Sequence, residues 1–331
     1  MKREGKQPIY EKREGTPVPE VIVEDIPELR MAMGYISNGD AKEIIDQEAF
    51  EIASLAFHRS DARNEIVEQL RRNKPHVGDP EQYIEKVFSI LENISQVSVA
   101  PDSSWEKRAE ILRPRVEALL SYFNPSSDWY HIRKVVALPV DDFVNVQGGR
   151  SFQRGSDWIV ASHSQNPDNF DHEFLHSFMN QIVDHLASAI GQEKITQLVT
   201  MASGKLKEDY GEECPHSIFT EELIRTYNDY VKQKRNPQNV PQQFMEKIDT
   251  ITQKQFQDAL NDDERFVQNL KKLNINNFNE FKERAKEYFD KYEKDELRDI
   301  LFDLYKNYEE TRKRGDIEDF ESFLIQNIVN N

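Results

Sequence analysis

The chain has 331 residues, enough to bury a sizeable core in one large domain or two modest ones. With 43 Lys and Arg against 60 Asp and Glu it carries a formal charge of −17, which argues against nucleic acid or an anionic membrane as partner, because phosphate binding needs clustered cations. A single cysteine, Cys214, excludes a disulfide framework and a thiolate zinc site, and no apolar run approaches the roughly 20 residues that span a bilayer.

Residues 1–20 are polar and hold Pro8, Pro17 and Pro19, which reads as a flexible N-terminal segment. Its basic start has no apolar stretch behind it, so it does not read as a secretory signal; the expected compartment is the cytoplasm, or the exterior with a leader removed. A helical N-terminal region is expected over 21–130. Leu29, Met33 and Ile36 recur at helical spacing, as do Ile44, Ile45, Ala49, Ile52, Leu55 and Ala56, and further helices are predicted over 81–94 and 105–123. Asn73-Lys74-Pro75 and Pro101-Asp102-Ser103-Ser104 mark breaks, with Ser104 as a candidate cap.

The texture then changes. Val135, Val136, Leu138 and Val140, then Phe143, Val144 and Val146, then Trp158-Ile159-Val160-Ala161 are short β-type runs. Turn signals at Gln147-Gly148-Gly149-Arg150 and Arg154-Gly155-Ser156 separate them, so a small, mainly antiparallel sheet is expected between 131 and 164. A helix follows over 170–190, stopped by Gly191, then one over about 193–205, a loop over 208–217 and a helix over 221–234. Residues 236–331 read as charged amphipathic helices (Phe244, Ile248, Ile251; Phe256, Leu260; Phe266, Leu270, Leu273; Phe281, Tyr288, Phe289; Leu297, Ile300, Leu301, Leu304; Phe320, Phe323, Leu324, Ile328) without a repeat period. The fold class expected is α+β, mostly helical, with the small sheet ahead of the helix at 170–190.

That helix carries His172-Glu173-Phe174-Leu175-His176, an H-E-x-x-H pattern. Histidines four apart lie about 40° from each other around a helix and one turn along it, so their imidazoles can converge on one ion. In zinc hydrolases this arrangement gives two ligands, with the intervening glutamate as general base. Phe170, Leu175, Phe178, Met179, Ile182 and Leu186 form an apolar stripe, and both histidines fall on its flank, where cleft-lining ligands belong. The run ending at Ser162-His163-Ser164 would bring a sheet edge beside the helix, and an extended substrate adds to such an edge. Taken singly, each histidine also reads as an ordinary half-buried helix residue.

His172-Glu173-Phe174-Leu175-His176-Ser177-Phe178, followed by Glu221-Glu222-Leu223-Ile224-Arg225, resembles zincin metallopeptidases of the gluzincin type, in particular an uncharacterised group from bacteria. The resemblance covers about 130–235; residues 236–331 match nothing in it. It implies a zincin-like fold with 131–235 as catalytic core, Zn2+ as cofactor, and His172 and His176 as ligands.

A catalytic zinc needs a third protein ligand and an open position for water. The histidine that metzincins place six residues after the second ligand is here Ile182, which removes that class, and Cys214 beside a proline is a poor donor. A later glutamate remains, as in gluzincins. Helical periodicity does not choose between Glu221 and Glu222, and either also reads as an acid satisfying a helix N-terminus. The resemblance places the ligand at Glu221, four before Arg225; Asp209 is the outside candidate. Glu173 would be the base, and Tyr227, Arg225, Tyr210 and His216 are candidates for a second donor to the oxyanion.

The function expected is hydrolysis of peptide bonds in a peptide or protein substrate. The acidic surface favours basic or neutral peptides. The alternatives are an inactive scaffold that keeps the fold for partner contacts, and a zinc hydrolase of a non-peptide amide. Nothing in the sequence specifies an oligomeric state.

Overall fold

A computed structural model describes residues 17–37, 44, 46–94, 103–138, 149–162, 167–211, 213–235, 250–262, 267, 270, 275–288, 295–316 and 319–329. The class is α+β: helices dominate, with one four-stranded mixed sheet. The chain falls into two compact units, one of residues 1–178 with 317–323 and one of residues 179–316 with 324–331.

In the first unit the strands are β1 (Glu20–Val23), β2 (Lys134–Ala137), β3 (Gly149–Arg154) and β4 (Asp157–Ser162), in the order β1-β2-β4-β3. β1 pairs parallel with β2 and β2 parallel with β4, while β3 runs antiparallel to β4 at the sheet edge. Between β1 and β2 come α1 (Pro27–Ser37), α2 (Gln47–Ser54), α3 (Arg63–Asn73), α4 (Pro80–Leu91) and α5 (Ser103–Phe123). Local chemistry starts two of them. Asp46 accepts the Ala49 N–H at the head of α2, and Asp79 accepts those of Glu81 and Gln82 at the head of α4, where Pro80 fills a position that needs no donor.

The α1–α4 side chains Leu29, Phe50, Leu55, Ile66, Leu70 and Ile84 form one core with Val136, Leu138, Phe152, Ile159 and Ala161 from one face of the sheet. Alternation along the strands sends Ser151, Trp158 and Val160 to the other face. There Trp158 Nε1 donates to the Glu173 carbonyl at 3.0 Å, tying that face to α6 (Pro167–Ile190). Phe123 at the end of α5 packs its ring against Phe178 of α6 and edge-on against Phe320 of the last helix. Helices thus cover both faces, as buried parallel pairings require.

In the second unit α7 (Gln192–Val199), α8 (Gly204–Tyr210) and α12 (Glu296–Arg314) pack on α9 (Pro215–Arg235). Tyr305 Oη of α12 donates to the Leu223 carbonyl at 3.0 Å, and Tyr230 donates to Glu309 at 2.6 Å. α10 (Gln253–Asp262), α11 (Phe278–Tyr288) and α13 (Phe320–Val329) complete the described α-helices, and a 3-10 turn at Pro75–Val77 joins α3 to α4.

Several expectations need correction. The sheet is not mainly antiparallel, since two of its three pairings are parallel, and it is not confined to 131–164. Its first strand comes from residues 20–23, whose partner lies more than a hundred residues on; no local turn signal can announce such a pairing. Ser104 lies inside α5, which begins at Ser103. Gly149 and Arg150 belong to β3 rather than to a turn, whereas Gly155-Ser156 is the two-residue turn expected, with Gly155 at φ 61°. The helix expected over 193–205 is two, because Ser203 starts a new one by accepting the Leu206 N–H. The loop expected over 208–217 is short, with α8 reaching Tyr210 and α9 beginning at Pro215. Phe143, Val144, Val146, His163, Phe244, Ile248, Phe266, Leu273 and Phe289 lie outside the described residues.

Candidate metal centre

α6 begins at Pro167, with Asp168 in its first turn where a carboxylate suits the exposed N–H groups. Arg115 of α5 grips that turn: its Nε donates to Asp171 Oδ1 at 2.8 Å and its Nη2 to Asp168 Oδ1 at 2.7 Å. A forked contact of this kind fixes the rotation of the helix as well as its position. The stripe of Phe170, Leu175, Phe178, Met179, Ile182 and Leu186 is fully buried, with Phe174 and Val183 added to it. His172 and His176 stay half-buried on its flank, their rings 5.3 Å apart between centroids.

Glu173 points to the sheet. Its Oε2 accepts from Ser151 Oγ of edge strand β3 at 3.0 Å, and the residue is 7% exposed. Gly149 makes the room for this. A Cβ there would fall 2.5 Å from Glu173 Cγ and Oε1, so no residue with a side chain fits without moving the carboxylate. The edge beside α6 is therefore β3. β4, which ends at Ser162, is interior to the sheet, contrary to the expectation that the run at 162–164 forms the edge.

Glu221 and Glu222 stand in the second turn of α9, not at its start, because the helix opens six residues earlier; the reading of either as an N-terminal acid falls with this. Their roles separate. Glu222 is fully buried and turned to Arg298, whose Nε donates to its Oε1 at 3.0 Å. Burial raises its pKa to about 8, with Arg298 opposing and Asp295 adding to the rise. Glu221, 3% exposed, accepts from Arg225 Nε on Oε1 at 2.7 Å. One nitrogen from each of His172 and His176 and one Glu221 carboxylate oxygen lie within 4.8 Å of one another, the one such group of potential metal ligands among the described residues.

The remaining candidates are distributed as follows. Asp209 pairs with Lys205 at 2.6 Å on the exposed side of α8 and is no part of the group. His216 is held at the head of α9 by Asp184, 3.1 Å from its Nδ1, and by Gln192. Tyr227 is buried with its ring 5.5 Å from that of Tyr305, a core position. Arg225 holds Glu221; burial would lower its pKa, but the Glu221 charge and hydrogen bond, with Tyr210 and Glu222 adding, raise it. Sequence reasoning missed Arg115, Gly149, Ser151 and Trp158. Of these only Gly149 left a trace, since a glycine at the start of a β-type run marks a place where something approaches the backbone closely.

Two half-buried imidazoles and a buried carboxylate form a donor set that suits zinc. Were all three to bind one ion, a fourth position would be left for solvent or substrate. Comparison with family models, curated proteins and solved structures finds no match to this chain.

Proposed function

We propose that the chain is a zinc-dependent metallopeptidase, with His172, His176 and Glu221 as ligands. The observation that carries this is the convergence of those three side chains within 4.8 Å, two of them on the helix that presents Glu173 to the sheet edge. Bound zinc supplies a Lewis acid that brings a water's pKa toward neutrality and polarises a carbonyl. Glu173 then takes the water's proton on its carboxylate and passes it to the leaving amine. Ser151 holds that carboxylate in one rotamer, and Trp158 fixes the backbone beneath it. Arg225 orients Glu221 from behind, as hydrogen bonds to a ligating carboxylate commonly do. An extended peptide lies along β3 and donates and accepts backbone hydrogen bonds there.

The experiment is metal analysis of protein purified without added zinc, combined with hydrolysis of a quenched mixed-sequence peptide library. The wild type should carry about one zinc per chain and cleave. His172→Ala should fold but lose the metal, and Glu173→Gln should keep the metal while losing cleavage. Absence of zinc from the wild type, or full cleavage by Glu173→Gln, would overturn the assignment.

A further inference from the structure

One side chain of α3 closes the C-terminal end of the edge strand, and a second holds the turn beyond it. In the β3–β4 hairpin the two-residue turn makes Arg154 and Asp157 a hydrogen-bonded pair, so Arg150, Phe152 and Arg154 direct their backbone groups at β4. Gly149, Ser151 and Gln153 direct theirs outward, at the open edge. The Gln153 carbonyl is already taken, because Gln69 Nε2 donates to it at 2.7 Å. One turn earlier on α3, both carboxylate oxygens of Glu65 accept from the Gly155 N–H, at 2.7 and 2.8 Å. Gln69 is itself 9% exposed, so its amide is packed in place on the strand.

Covering an edge is an ordinary defence against strand addition. Here the cover stops short. Ser151 and Gly149, next along the outward-facing series, have no outward backbone hydrogen bond among the described residues except a 3.3 Å contact from Arg150 Nη1 to the Gly149 carbonyl. These two residues also flank Glu173: Ser151 binds its carboxylate and Gly149 makes the space for it. Among the described residues, the uncovered part of the edge is thus the part beside Glu173.

Resting on the peptidase reading above, we propose that Gln69 and Glu65 act as a stop that limits the length of substrate on the N-terminal side of the cleaved bond. A peptide antiparallel to β3 has its N-terminal residues toward the C-terminal end of the strand. One of its residues pairs with Ser151, and the residue two further on lies against Gly149. The residue two before would need the Gln153 carbonyl, and the Gln69 amide occupies it. The preferred substrates are therefore short on that side, either small peptides or segments near a free N-terminus. Long polypeptides with residues far upstream of the cleaved bond are disfavoured.

The test uses the full-length zinc-loaded protein. The best-cleaved library peptide is rebuilt as an acetylated series with one to six residues ahead of the cleaved bond. In the wild type, kcat/KM should rise with the first residues and then level off or fall. In Gln69→Ala the rise should continue for two more residues, by about fivefold for the added backbone pair. Gln69→Leu keeps the bulk without the donor and should retain the early limit through sterics, which separates the stop from a general loosening of α3. The second readout is amide exchange in Glu173→Gln, which binds peptide without cleaving it. Added peptide should protect the Ser151 amide but not that of Gln153, and both once Gln69→Ala is introduced. Identical length profiles in the wild type and Gln69→Ala, with cleavage intact, would overturn the stop alone. Cleavage of no peptide by zinc-loaded wild type would remove the peptidase reading and the stop together.

Discussion

Gly149→Ala separates the placement of the base from the binding of the metal. A Cβ at this position would stand 2.5 Å from Glu173 Cγ and Oε1 and 2.8 Å from Cδ, whereas ordinary contact begins at 3.4 Å, so the side chain must retreat by about 0.9 Å. The three nearest atoms all belong to the Glu173 side chain, so that side chain is what must move. The stability cost should be about 1 kcal/mol, at the low end for added bulk in a packed site. Catalysis should suffer far more. Retreat breaks or lengthens the 3.0 Å hydrogen bond from Ser151 and carries the carboxylate off its line to the water. A misplacement of about 1 Å lowers rate by roughly 100-fold. The assay is kcat and KM on the best-cleaved peptide, with zinc content and urea unfolding measured on the same preparation. The expected result is kcat down by about two orders of magnitude, KM nearly unchanged and zinc at wild-type stoichiometry. A kcat within threefold of wild type would refute the idea that Glu173 works from its position against Gly149.

Other predictions follow from the supporting shell and from buried charge. Arg225→Ala removes the donor on Glu221 Oε1 and should weaken zinc binding by about 10- to 100-fold in a chelator competition, with unchanged affinity counting against Glu221 as a ligand held from behind. Arg298→Ala strands the fully buried Glu222 and should cost about 3 kcal/mol at pH 9, above the Glu222 pKa of about 8; adding Glu222→Gln should recover most of it, and failure to recover would place the loss elsewhere. Burial pushes the Glu51 pKa up to about 7, with Arg150 opposing and Glu48 and Asp46 adding, so the folded state favours the protonated form. That contribution to stability is complete below pH 4.5 and lost as pH rises through 7. Glu51→Gln should therefore gain up to about 3 kcal/mol over wild type between pH 5 and pH 8 in urea unfolding, and a difference independent of pH would show that Glu51 titrates normally.

Helix periodicity and cap chemistry are short-range, and they were readable wherever they act alone. The N-terminal helices, the stripe on α6 with His172 and His176 on its flank, and the Gly155-Ser156 turn all follow from neighbours within a few positions. The sequence determined by itself that one helix would offer two imidazoles with a carboxylate between them, because a helix sets the spacing of its own side chains. It did not determine which distant acid would join them. Glu221 and Glu222 are adjacent residues of the same type, and both are buried. They differ in what holds them, Arg225 in one case and Arg298 in the other, and only Glu221 has an oxygen within 4.8 Å of nitrogens of both histidines among the described residues. The strand order is of the same kind: β1 finds β2 across more than a hundred residues, and β3 takes the edge of the described sheet. Pairings of this range depend on which surfaces meet after the helices have packed, and no pattern within a window of the chain encodes that meeting.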